Sequence, residues 1–129
     1  MAYLRFVIDK LDEDSGRRQG LFQAISDLEH AHALAPYEQK QYDELYEWFR
    51  KHLRKPASFT RSSKAHAKKV ALSWYKDSAI EHLKKMRELC AIVEAHDQRV
   101  VVLQTSRPGF VVYEDDFQVV AEPFQDTLT

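Results

Sequence analysis

Four consecutive apolar residues, Val100 to Leu103, restrict the folds open to this chain more than any other stretch. A continuous apolar run bounded by polar residues is the pattern of a strand buried on both faces, so Arg99 to Thr105 is expected to be a central strand. Ser106-Arg107-Pro108-Gly109 then reads as a turn, with Gly109 where a positive φ is needed. Phe110 to Tyr113 reads as the return strand, Glu114-Asp115-Asp116 as a second turn, and Phe117 to Glu122 as a third strand. Three strands with short connections predict an antiparallel meander at the C-terminal end. Pro123 closes it, and Gln125 to Thr129 reads as a tail.

Upstream, the period changes. Tyr3 to Ile8 is rich in aromatic and β-branched residues and reads as a strand. Asp9 to Gly20 is polar, with Gly16 and Gly20, and reads as a loop leading into a helix. Leu21, Phe22, Ile25, Leu28 and Ala31 recur at helical spacing and predict a helix over Arg18 to Leu34. Pro36 suits a first helical turn, and Tyr42, Leu45, Tyr46, Phe49 and Leu53 give a second stripe. So short a connection predicts an antiparallel helical hairpin. Lys55 to Lys64, with Pro56, Ser62 and Ser63, reads as a basic linker.

Val70 to Tyr75 is ambiguous. Val70, Leu72 and Trp74 alternate with Ala71, Ser73 and Tyr75, whereas the competing reading is one helix from Lys64 to His96. The strand is preferred, because such a helix is long for this chain and because Ser78 and Glu81 mark a helix start near Ala79. Ile80, Leu83, Met86, Cys90 and Val93 then give that helix its buried face. The order β-α-α-β-α-β-β-β predicts an α+β fold: a mostly antiparallel sheet with about three packed helices.

Length and composition agree with this. The chain has 129 residues, 44% hydrophobic and 30% charged, which is expected to make a single globular domain over residues 1–129. The single cysteine, Cys90, excludes an internal disulfide and a cysteine-rich zinc site. No window approaches the ~18 to 20 apolar residues of a membrane span. The expectation is a cytoplasmic protein that does not enter a membrane.

The net charge of −1 hides an uneven distribution. Residues 50–69 hold eight Lys and Arg and no acid, while residues 1–49 carry −5 and residues 100–129 carry −4. A cluster of cations suits a phosphate backbone, because each one held near a phosphate releases a condensed counterion. The expected binding residues are Arg54, Lys55, Arg61, Lys64, His66, Lys68 and Lys69, with Phe59 able to stack on a base. Arg107, in the turn after the central strand, joins them as a rigidly held surface cation. The bland alternative is a solvated helix end whose cations meet the helix dipole or the chain's own acids.

Other chemistries are weaker. His30 and His32 diverge on a helix, and no Cys or carboxylate completes a zinc pattern, so no metal site is expected. Asp9 to Gly16 fails the EF-hand spacing, since Gly16 at the sixth position puts Leu11 first. Walker, dinucleotide and serine-hydrolase signatures are missing, and no pattern calls for a cofactor. Cys90 shares a helical stripe with Leu83, Met86 and Val93 and reads as a buried thiol. A metal-independent nuclease would use His66 as acid or base, Arg61 and Lys68 on the phosphate, and Tyr113 or Glu114 across the fold.

The leading expectation is a non-enzymatic binding or adaptor protein whose basic segment, residues 50–69, holds an acidic protein partner or nucleic acid. The nuclease is one alternative. Self-association as a homodimer is another, supported by opposite charges on two segments and by aromatics on the second helix, where Tyr42, Tyr46 and Trp48 cannot all face one core.

Overall fold

A computed structural model of the chain describes residues 1–11, 17–54, 71–127 and 129. The elements are β1 (Tyr3–Leu11), β2 (Arg18–Gly20), α1 (Leu21–His30), α2 (Pro36–His52), β3 (Leu72–Lys76), α3 (Ile80–Glu94), β4 (Val100–Thr105), β5 (Phe110–Glu114) and β6 (Gln118–Glu122). The class is α+β, with three helices and a six-stranded antiparallel sheet among the described residues. Hydrogen bonding orders the strands β2-β1-β3-β6-β5, and β4 also pairs with β1.

The chain divides into two compact units, each discontinuous in sequence: residues 1–5, 54–83 and 103–129 form one, and residues 6–53 and 84–102 the other. In the first unit, β3 lies between β1 and β6. Tyr3 and Leu4 pair with Lys76 and Tyr75. On the other side Leu72, Ser73, Trp74 and Tyr75 pair with Ala121, Val120, Val119 and Gln118. Trp74, Val119 and Ala121 are fully buried, and Val120 nearly so. Leu72–Lys76 is thus a strand as the alternation predicts, and α3 follows from Ile80. Leu83, Met86, Cys90 and Val93 are buried as its spacing requires, but Ile80 is exposed: it begins the helix and lies outside the packed face.

The closing strands follow one another as expected, with particular pairings. β5 and β6 form a hairpin, while β4 takes β1 as its partner. The connection explains why β4 and β5 separate. Ser106 to Gly109 holds Pro108, which has no N–H to give to a ladder, and Thr105 Oγ1 accepts the Arg107 N–H at 3.0 Å, turning the chain locally. Gly109 has φ +137°, and a Cβ there would collide with the Glu122 carbonyl across the hairpin.

In the second unit, the helix predicted from Arg18 starts at Leu21. Residues 18–20 make a short strand instead, with Gly20 opposite Val7 and Arg18 opposite Leu11. Pairing with β1 satisfies their backbone groups, and Gly20 is left extended as the helix N-cap. The helix also ends early, at His30 rather than Leu34. His32 takes φ +55°, its N–H reaches the Glu29 carbonyl at 3.0 Å, and the Ala33 N–H reaches Leu28 at 2.9 Å. This is a Schellman stop with a residue other than glycine at the left-handed position. Asp97 repeats it after α3, with φ +60° and bonds from Asp97 to Glu94 and from Gln98 to Val93.

The two helices before the basic segment are antiparallel. Phe22, at the start of α1, meets Phe49 edge-on at 5.3 Å and Tyr46 at 6.3 Å, while Gln39, early in α2, donates to Glu29 at 2.6 Å. Pro36 opens α2, and the Glu38 carboxylate folds back to accept the Ala35 N–H at 2.9 Å. The same carboxylate lies 3.0 Å from His96 Nε2. The Ala35 N–H first, and His96 after it, hold the Glu38 carboxyl below its ordinary value despite burial.

Two opposite effects on stability follow from the left-handed positions. Replacing Gly109 with Ala is expected to destabilise the protein by at least about 2 kcal/mol, through strain and collision together. Replacing His32 or Asp97 with Gly is expected to stabilise it by roughly 0.5–1 kcal/mol each, by relieving the Cβ crowding. Urea unfolding midpoints at neutral pH measure all three.

Candidate functional site

Of the residues expected to bind or react, Lys55, Phe59, Arg61, Lys64, His66, Lys68 and Lys69 lie outside the described residues. The others are placed by the first unit. Arg54 follows α2, Arg107 lies between β4 and β5, and Tyr113 and Glu114 end β5. Arg54 acts on Tyr113, its positive charge opposing the upward shift of the phenol. Arg107 does not join them; its guanidinium lies 5.0 Å from the centre of the Phe124 ring.

Asp115 organises this corner. Its Oδ1 accepts the backbone N–H groups of Phe117 at 2.9 Å and Gln118 at 3.0 Å, and its Oδ2 accepts the Tyr113 hydroxyl at 2.9 Å. An aspartate that bonds the backbone two and three residues ahead fixes a tight turn, which here is the β5–β6 hairpin. Burial raises the Asp115 carboxyl, but the amides and the hydroxyl outweigh it and leave the group below its ordinary value. Burial first, and the bond to Asp115 second, push the Tyr113 phenol up.

Gln118 extends the network to the start of the basic segment. It is buried, and its Nε2 donates to the Arg54 carbonyl at 2.5 Å and to Asp115 Oδ2 at 3.2 Å. Its Oε1 accepts the Ser73 hydroxyl at 2.9 Å, on the strand paired with β6. A single glutamine thus ties the residue that leaves α2 to the strand that follows the basic segment. Asp115, Gln118 and Ser73 were not evident as a group from the sequence. The acidic turn was visible, but pairing Ser73 with Gln118 needs the β3–β6 ladder.

The remaining reactive groups have structural partners. Glu114 forms an ion pair with Lys76 at 2.7 Å, which holds the Lys76 ammonium above its ordinary value. The Tyr113 hydroxyl donates a hydrogen bond to Asp115 Oδ2. Burial pushes the Cys90 thiol up to about 11, so it stays protonated near neutral pH and is a poor nucleophile. Among the described residues, no group of three or more His, Cys, Asp or Glu side chains could hold a metal ion. No helix of the described residues is long and apolar enough to cross a membrane.

Part of the basic charge is met locally. Glu47 pairs with Arg50 at 2.9 Å and with Lys51 at 3.8 Å. Of the three α2 aromatics expected to compete for one core, Tyr42 is buried, Tyr46 is exposed, and Trp48 stacks on His52 at 4.4 Å. No family model, no curated protein and no solved structure matches the chain.

The Asp115 network carries its own pH signature. Replacing Asp115 with Asn removes the charge and an acceptor, and is expected to cost about 1–3 kcal/mol at neutral pH. Because the native carboxyl is held below its ordinary value of 3.8, its contribution is complete above that value and is lost as pH falls through the lower native one. Denaturation of both proteins from pH 7 to pH 2 is expected to show the gap closing only at the acidic end.

Proposed function

We propose that this chain is a binding protein that holds a polyanion, either nucleic acid or an acidic protein surface, through residues 50–69. The observation that carries the reading is the charge pattern itself: eight cations and no acid in that segment. Arg54, Lys55, Arg61, Lys64, Lys68 and Lys69 are the contacts, His66 and Arg107 assist them, and Phe59 stacks on a base where the partner has one.

Two features of the fold support it. Arg54, within the segment, is fixed by the bond from Gln118 to its carbonyl, and Leu72, shortly after the segment, is fixed by its pairing with Ala121. A basic segment held at two such points loses less conformational entropy on binding than a free tail. In addition, Glu114 and Asp115, acids of the C-terminal segment, already serve Lys76 and the hairpin turn. They are therefore poorly suited to neutralise the basic run.

Fluorescence anisotropy with labelled RNA, single-stranded DNA and duplex DNA at low salt tests the nucleic-acid form. Affinity is expected to fall linearly with salt on logarithmic axes, and the triple replacement of Arg61, Lys64 and Lys68 by Glu is expected to lower it by at least about tenfold. If none of the three binds, the acidic-protein form is read from salt-sensitive retention on poly-glutamate, and failure of both ends the proposal. Incubation with the same nucleic acids in chelator separates binding from cleavage: intact substrate marks a binder. Cleavage that disappears in His66→Ala would instead assign the metal-independent nuclease.

A further inference from the structure

β5 ends the strand order, and among the described residues it pairs with β6 alone. Its first two residues, Phe110 and Val111, are 65% and 44% exposed. Successive side chains of a strand point to opposite faces of the sheet, so one apolar group stands on each side of this edge. A partner lying on one face would cover only one of them. A strand added to the edge covers both and also satisfies the outward N–H and C=O groups.

Charge says which strand fits. Arg107 lies just before β5, and Glu114 and Asp116 lie at its far end. An added antiparallel strand must run basic to acidic in its own direction, so that its acidic end meets Arg107. The chain's own β5 has that order. We infer that β5 pairs antiparallel with β5 of a second copy, about a two-fold axis near Val111. That arrangement brings Arg107 of each copy toward the Glu114–Asp116 end of the other and sets Val111 beside its symmetry mate and Phe110 beside Val112 of the other copy.

The geometry also limits the assembly. The strand spans roughly 17 Å, and its register slips between Val111 and Tyr113. Such a bulge adds twist and shortens the stretch that pairs flat. Two-fold symmetry uses this edge of both copies at once, so the ladder closes as a dimer and does not recruit further chains through β5. This inference does not depend on the basic segment.

Light scattering over a range of protein concentrations tests it. The mass is expected to rise from 15.1 kDa toward twice that value. The double replacement of Phe110 and Val111 by Lys is expected to hold the protein monomeric with an unchanged far-ultraviolet circular dichroism spectrum. Should that variant misfold, the charge variants remain decisive. Arg107→Glu alone and Asp116→Arg alone should each raise the concentration needed for dimerisation by about tenfold, and combining them should restore it. A monomer at the highest soluble concentration, a dimer indifferent to the lysines, or charge variants without rescue would each overturn the inference.

Discussion

The ladder between β3 and β6 puts the middle of the first unit under the strictest constraint. Every residue of β6 is buried, and Trp74 of β3 is fully enclosed. Backbone amides in such a place must find partners within the protein, and four residue pairs from Leu72–Ala121 to Tyr75–Gln118 supply them. Burial and hydrogen bonding therefore select the same register. A one-residue slip would turn Trp74 to the opposite face, and removing a buried tryptophan typically costs about 3–5 kcal/mol.

That register has consequences for polar groups that the ladder does not itself contain. It places Ser73 beside Gln118, and Gln118 in turn holds the Arg54 carbonyl and Asp115. Asp115 sets the hairpin turn and accepts a hydrogen bond from the Tyr113 hydroxyl. The hydrogen-bonded chain runs from a strand through a glutamine to Arg54, two residues beyond the end of α2. Its members are neutral or charge-assisted donors matched to acceptors, which is what lets a buried amide such as Gln118 be stabilising. The proposed binding segment therefore departs from a rigid part of the fold.

The sequence discloses most of the elements and few of their partners. Strand β3 is legible because Val70 to Tyr75 alternate, and the α3 stripe because Leu83, Met86, Cys90 and Val93 keep helical spacing. Ile80 has the right spacing yet is exposed, since spacing does not tell where a packed face begins. The helix limits at Gly20 and His30 depend on pairing with β1 and on left-handed turns at His32, neither of which has a strong local signal. Likewise, β4 and β5 are both visible as strands, but the pairing of β4 with β1 is a long-range fact. Within the candidate site, Arg54, Tyr113 and Glu114 were nameable as polar groups. Their engagement with Gln118, Asp115 and Lys76 was not, because it requires β3, β5 and β6 to be side by side. The run of cations in residues 50–69 is the reverse case, plain in composition and independent of any contact.

Backbone amide chemical shifts recorded during titration with a short single-stranded oligonucleotide, and in parallel with poly-glutamate, test the polyanion reading most directly. The expected result is that perturbations concentrate on Arg54 to Lys69, diminish with added salt, and leave the amides of β3 and β6 in place. Shifts centred elsewhere, or none with either polyanion at low salt, would contradict it.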